Sequence, residues 1–412
     1  MNTVRKIARI IVGMVFIFSG FVKLIDPLGS AYKFSDYFAA FGMSFLQPLA
    51  FPFAVMMCIA EFAMGACLFM GIKMKLTSTL VLIFMSFFTP LTLILALFNP
   101  VTDCGCFGDA IKLTNWQTFY KNLVLLALII FIFSNRKKYS PFSTNVVEFS
   151  MIILFCMIGL GLMTYSYFHL PLVDFRPYHT GVNIPQKMTI PAGMPRDEYK
   201  TLLYYSKNGK IVEFTEDNYP WQDTTWKWVD TRSVLVKEGY KPPIHDFNIV
   251  SLQGNDITDV VLNSQGYNFL LIAHDLNKAN VAALKKANEL ALFCMQNHIG
   301  FYCLTSTGKK DIQNIRQHYQ LDYDFYIADE TTLKTIVRSN PGLLLLKEGT
   351  IIGKWHFKDF PDPKFLNKNF MSSQIEEFTR RNEQLTAVCL GLGFLLLMSI
   401  IALVLKKKKI VI

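Results

Sequence analysis

Asp103-Cys104-Gly105-Cys106-Phe107-Gly108-Asp109 is a polar loop set between two long apolar runs. Two thiols one glycine apart either close on each other as a disulfide or offer two soft ligands to a metal. A disulfide across so short a ring is expected to be strained, relatively oxidising and readily exchanged. Its use depends on which side of a membrane the loop faces and on what lies opposite it.

The chain has 412 residues, of which 52% are hydrophobic and only 17% charged, a balance that does not suit one soluble globule. The apolar residues gather into six runs, roughly 7–25, 48–70, 76–98, 118–134, 147–168 and 385–405. About 20 helical residues cross a hydrocarbon core of about 30 Å, so each run is a candidate span. The first is not expected to be a cleaved leader, because Gly20 to Pro27 carry no small-x-small site and further spans follow.

Basic clusters set the expected orientation. Arg5, Lys6 and Arg9 precede the first run, Lys73 and Lys75 separate the second and third, Arg136 to Lys138 separate the fourth and fifth, and Lys406 to Lys409 follow the sixth. They alternate correctly for six crossings with both termini cytoplasmic. Arg380 and Arg381 before the last run are outweighed by the four lysines after it. The Cys104–Cys106 loop and residues 169–384 then face the same outer, periplasmic compartment across the inner membrane, where a disulfide persists. Most of the +10 net charge flanks membrane, which leaves no nucleic-acid reading and makes the lipid bilayer the first partner.

The expected domains are a four-helix membrane unit (1–135), a linker with the fifth span (136–170), an irregular or β accessory region (171–240), an α/β unit (241–365), and a helix, sixth span and basic tail (366–412). In the accessory region two strand-like stretches flank Asn208-Gly209, the dipeptide of a tight hairpin turn. Trp221, Trp226 and Trp228 follow and are expected to pack the hairpin onto the next unit rather than to form a binding surface.

From 241 onward strands and helices alternate in the order β-α-β-α-β, with a further helix at 331–338, and end in a hairpin preceded by Pro341. This order resembles the thioredoxin fold. The resemblance implies that Asn340-Pro341 is the cis-proline bond and that the cysteine pair of such enzymes would stand at His274-Asp275-Leu276-Asn277, where no cysteine occurs. Asp275 is expected to cap a helix. Cys294 and Cys303 fall on apolar faces and are expected to be buried and unpaired, and Cys156 and Cys389 read as small packing residues. No histidine or cysteine spacing makes a metal centre.

The membrane half resembles the DoxX/MauE superfamily through Ser19-Gly20-Phe21-Val22-Lys23-Leu24, Glu61 with Gly65, Asp103 to Gly108, and Trp116 with Asn122. With the outer domain, the arrangement looks like DoxX-type proteins of Bacteroidota. The MauE branch is linked to disulfide formation during methylamine dehydrogenase maturation. The resemblance therefore implies a multi-span α-helical membrane protein, a four-helix bundle plus two further spans, with a soluble thioredoxin-like domain. Vitamin K epoxide reductase-like proteins keep a second Cys-x-x-Cys in a span; here Cys58 and Cys67 are nine residues apart, on nearly opposite helix faces.

Glu61 stands in an apolar run, and an ionisable residue there needs a partner; Lys23 is the candidate. The pair either supports chemistry or only clamps two helices. The expected function is membrane-associated thiol–disulfide redox or maturation of an exported client, with Cys104 and Cys106 catalytic and Glu61 and Lys23 supporting. Such an enzyme needs a second dithiol or a quinone as electron acceptor. The alternatives are a non-catalytic assembly or adaptor protein in which the cysteines are a staple, and, less supported, a transporter.

Overall fold

The computed structural model describes residues 2–101 and 103–366. The run at 385–405, the lysines after it, Arg380, Arg381 and Cys389 lie outside the described residues. Five described helices are long and apolar enough to cross a membrane, and they cover the first five expected runs. These are α1 (Asn2–Leu24), α3 (Ala50–Met70), α4 (Met74–Phe98), α5 (Asn115–Ser134) and α6 (Asn145–Phe168).

Close packing of α1 on α3 follows from glycine. A Cβ on Gly65 would lie 2.5 Å from the Ile17 nitrogen, and one on Gly20 would lie 2.7 Å from the Phe62 backbone. In lipid, where burying leucine against leucine gains little, such backbone approach is a main source of helix association. Between the two spans the chain forms an unexpected helix, α2 (Pro27–Ala40). Asp26 caps it by accepting from the Gly29 N–H at 2.9 Å, and Pro27 sits in its first turn. This is the start signal of a short helix, too short and polar to register among the membrane runs.

The expected basic loops meet at one end of the bundle. The Tyr139 hydroxyl donates to the Arg5 carbonyl at 3.0 Å, and Lys73 Nζ donates to Asn145 Oδ1 at 2.6 Å. The Cys104–Cys106 loop, α2 and the soluble part lie at the other end.

After α6 and a short helix α7 (Ile184–Met188) come two sheets. The first has strands β1 (Glu198–Lys207), β2 (Lys210–Thr215) and β3 (Lys227–Lys237) in the order β2-β1-β3, with Asn208-Gly209 at the β1–β2 turn as expected. The hairpin is thus part of a three-stranded sheet, in which β3 pairs antiparallel with β1. The tryptophan expectation is corrected too. Trp221 is 70% and Trp228 61% exposed, and only Trp226 packs, edge-on to Phe214.

The second sheet has the order β4-β7-β6-β5-β8-β9, formed by β4 (Val250–Ser251), β5 (Tyr267–Ile272), β6 (Gly300–Thr305), β7 (Phe325–Ile327), β8 (Gly342–Lys347) and β9 (Thr350–His356). Strands β5, β6 and β7 run parallel, while β8 and β9 are antiparallel to them. Helices α8 (Thr258–Leu262), α9 (Val281–Gln296), α10 (Lys309–Tyr319) and α11 (Glu330–Ile336) fill the connections. Phe269 and Leu271 face one core and Leu270 and Ile272 the other, so the sheet is buried on both faces. A membrane protein carrying a separate thioredoxin-like α/β domain fits this architecture, and Asn340-Pro341 is cis.

Candidate functional site

The loop at 103–109 is held from several sides. Cys104 and Cys106 are joined as a disulfide and are half-buried. Gly105 between them has φ +65°, a left-handed conformation that glycine adopts without a Cβ penalty. Asp103 accepts from the Gly105 N–H at 2.9 Å and pairs with Lys33 Nζ at 3.0 Å. The Tyr37 hydroxyl donates to the Cys104 carbonyl at 2.8 Å, and burial, then Asp103 and Asp36, push that phenol up, so it remains a donor. Phe107 rests on Phe18, with Lys121 Nζ 4.4 Å from its ring centre.

A hydrogen-bonded chain leads from this loop into the bundle. Ser19 Oγ donates to the Cys106 carbonyl at 2.6 Å and accepts from Lys23 Nζ at 3.3 Å. Lys23 Nζ in turn meets Glu61 Oε2 at 2.7 Å. The four residues singled out from the sequence are thus brought to one place, and Ser19 is the link between them. Asn122 is buried on α5 and donates to Thr92 Oγ1 at 3.3 Å, whereas Trp116 is exposed.

A cavity of about 1040 Å³ joins these groups. Lys23, Glu61, Lys121 and the Cys104–Cys106 loop line it together, phenylalanines of α2, α3 and α4 supply part of its apolar wall, and Asp26, Asp36 and Arg176 are among its further charged groups. The soluble domain roofs it with residues of α11 and with Arg338.

Arg338 ties the two parts together through two carboxylates. Its Nε lies 3.0 Å from both carboxylate oxygens of Asp26, and its Nη2 lies 3.5 Å from Asp109. Burial pulls the Asp26 pKa upward, but Arg338 and then Arg176 outweigh it and hold the carboxyl below its ordinary value. Nearby, Lys334 and Arg338 stand over the Tyr32 ring. At the end of α6 His169 meets Asp359 at 3.0 Å, while Asp174 pairs with Arg176 and Lys354, both at 2.7 Å.

Asp103 and Asp109 are each in an ion pair, Asp103 with Lys33, and Asp109 with Arg338 and more loosely with Lys112 at 4.0 Å. The sulfurs are not open on a bare outer surface, because the soluble domain stands over the cavity they line. Lys33, Tyr37, Lys121 and Arg338 were not singled out from the sequence. The only sequence signal for the first two was the Asp26-Pro27 helix start, and for Arg338 its nearness to Pro341.

In the soluble domain Asp275 caps a helical turn through the Asn277 N–H at 3.0 Å, as expected. Burial holds the neighbouring His274 imidazole down at about 4. Cys294 and Cys303 are free and buried, and burial pushes the Cys294 thiol up to about 12. Among the described residues no cluster of three or more His, Cys, Asp or Glu could hold a metal ion.

With that geometry in hand, residues 1–134 match the family model of the methylamine utilisation protein MauE, which supports a MauE/DoxX-type membrane domain over that part of the chain. Residues 199–238 match a domain of unknown function, DUF8463. No curated protein matches the chain. Among solved structures, the chain is similar to the solution structure of a proposed protein disulfide isomerase from Bacteroides thetaiotaomicron, at 13% identity. That match covers 33% of this chain and 85% of the other with a TM-score of 0.23.

Proposed function

We propose that this chain is a membrane-bound thiol–disulfide exchange protein that matures exported proteins, with Cys104–Cys106 as the exchanging pair. The observation that carries the reading is the disulfide at the head of a hydrogen-bonded chain running through Ser19 and Lys23 to Glu61. The likeness of residues 1–134 to the methylamine utilisation protein MauE supports a maturation role. In this reading the loop and the 169–366 segment face the periplasm of a bacterial inner membrane, and the domains divide near 135, 170, 240 and 365.

The exchange takes two steps. A client thiolate attacks one sulfur of the pair, forming a mixed disulfide and releasing the other cysteine as thiolate. The second client thiol then breaks the mixed disulfide, so the client leaves oxidised and Cys104 and Cys106 hold two electrons as free thiols. Glu61 and Lys23 support the loop from within the bundle. A second reading is favoured by the covered loop and by a soluble domain with no cysteine at His274 to Asn277: an adaptor in which the disulfide is a staple.

Single variants Cys104→Ser and Cys106→Ser, expressed in an oxidising compartment and trapped with acid and alkylation, decide between them. Exchange predicts client mixed disulfides on one or both variants. Absence of any mixed disulfide, together with a wild-type pair that mild dithiols do not reduce, would falsify the exchange reading and leave the staple.

A further inference from the structure

The pair must pass on two electrons after each exchange, and no second disulfide occurs among the described residues. The electron sink therefore comes from outside the described chain, and the cavity beside the loop has the form of a binding site for it. We infer that this cavity binds a lipid quinone, which reoxidises Cys104 and Cys106; the inference rests on the exchange reading above.

Three observations carry it. The first is size: at about 1040 Å³ the cavity lies at the upper end of the range that encloses a small organic ligand, with room for a ring and the start of a tail. The second is position. Ile83 and Phe87 line the cavity and are also 62% and 65% exposed on the middle of α4, one of the candidate spans. The cavity therefore opens sideways at the level of the bilayer, the route for a ligand dissolved in lipid rather than in water. The third is the pairing, within one lining that also carries other charged groups, of aromatic wall with cations beside the disulfide. Phe34, Phe53 and Phe88 supply flat apolar wall, while Lys23, Lys121 and Glu61 stand beside the disulfide loop.

Aromatic wall together with cations beside the loop suits a molecule with a planar, two-carbonyl head and an apolar tail. The Lys23 and Lys121 ammonium groups are donors for carbonyl oxygens, and Glu61, already bonded to Lys23, is a proton-accepting partner there. The reaction balances without a further reagent. Two thiols and one quinone give one disulfide and one quinol; the S–S bond forms, and two electrons and two protons move from the sulfurs to the two quinone oxygens. A water-soluble acceptor would use neither the lateral opening nor the aromatic wall.

The test uses the full chain in lipid nanodiscs with decylubiquinone and, separately, a short-tailed menaquinone analogue as probes. The protein is reduced, freed of reductant and mixed with one equivalent of probe. Quinol is followed by absorbance and free thiols by maleimide labelling. The expected result is about one quinol per protein with loss of labelling at Cys104 and Cys106, and a rise in melting temperature when probe is added to the oxidised protein. Leu91→Trp, which fills the cavity wall, should slow quinol formation at least 10-fold while leaving disulfide exchange with a model dithiol within 2-fold. Glu61→Gln should slow quinol formation while the thermal shift persists. If the pair exchanges with the model dithiol but neither probe oxidises it or shifts melting, the quinone inference is overturned and the exchange reading stands. If probe oxidises the pair but no dithiol exchanges with it, the quinone site stands and the exchange reading falls.

Discussion

Replacing Arg338 by methionine should loosen the soluble domain from the membrane domain, because Arg338 binds Asp26 and Asp109 from a nearly enclosed position. Its side chain is 8% exposed and that of Asp26 20%. Removing one member of a buried pair leaves the other charge uncompensated, at a cost of about 3–5 kcal/mol. Asp26 keeps its bond from the Gly29 N–H, so the lower end applies. At about 1.4 kcal/mol per tenfold, about 3 kcal/mol is roughly 100-fold in the docking equilibrium. Hydrogen–deuterium exchange of the full chain in nanodiscs should show faster exchange confined to α2 and α11. In a cycle with Asp26→Asn, the double variant should cost clearly less than the sum of the singles, since the Arg338–Asp26 pair then strands neither of its charges. The pH dependence has a definite sign. The Asp26 carboxyl is held below its ordinary value of 3.8, so the contribution is complete above about 3.8 and is lost as pH falls through the lowered value. Exchange of α2 and α11 within 2-fold of the parent protein, or additivity within about 0.5 kcal/mol, would refute the coupling.

Two further outcomes test other parts of the fold. Gly65→Leu would bring a Cβ to 2.5 Å from the Ile17 nitrogen and should abolish monodisperse protein on detergent extraction; Gly161→Leu on α6, with nothing within 4 Å of its Cβ, should extract normally. His274 stays neutral down to about 4, whereas an unfolded histidine takes up a proton near 6.5, so stability is complete above about 6.5 and falls toward pH 4. At about 1.4 kcal/mol per pH unit across that window the loss is about 3 kcal/mol, and His274→Phe should flatten the acid limb of melting temperature against pH.

Much of this architecture was legible because the signals are local. An apolar run of about 20 residues needs no knowledge of its neighbours to read as a span, and the strand–helix alternation after 241 is likewise written in sequence order. The Lys23–Glu61 pair could be named because an intramembrane carboxylate demands a cation and few were at hand. What escaped notice depends on distant segments meeting. Helix α2 lays Phe34 and Phe38 against Phe53 of α3, and Lys33 and Tyr37 matter only because α2 also lies beside the 103–109 loop. Arg338 sits in an unremarkable stretch, and nothing before it in the chain says that two carboxylates wait across the interface. Trp221 and Trp228 misled because aromatic residues usually pack, and the partner surface assumed for them is not present among the described residues.

The soluble domain's missing cysteine pair has a structural counterpart. Where a thiol would be expected, the chain at His274 and Asp275 is committed to holding loops together. Ser306 Oγ donates to the His274 carbonyl, Asn340 Nδ2 donates to the Asp275 carbonyl at 2.8 Å, and the Asn280 N–H donates to the Asn340 carbonyl at 3.0 Å. These bonds fix the loop that begins at Arg338, and through it the contact with Asp26 and Asp109. The domain's own thiols are unsuited to exchange: burial pushes Cys294 up to about 12, so at neutral pH roughly one in 10⁵ would be thiolate, the nucleophilic form, and Cys303 is pushed up in the same direction. The membrane part holds the half-buried disulfide, and the soluble part holds Arg338 against the loop that carries it. In the exchange reading proposed above, cutting the docking contact and removing a cysteine should damage the protein in separable ways, the first through access to the loop and the second through its electrons.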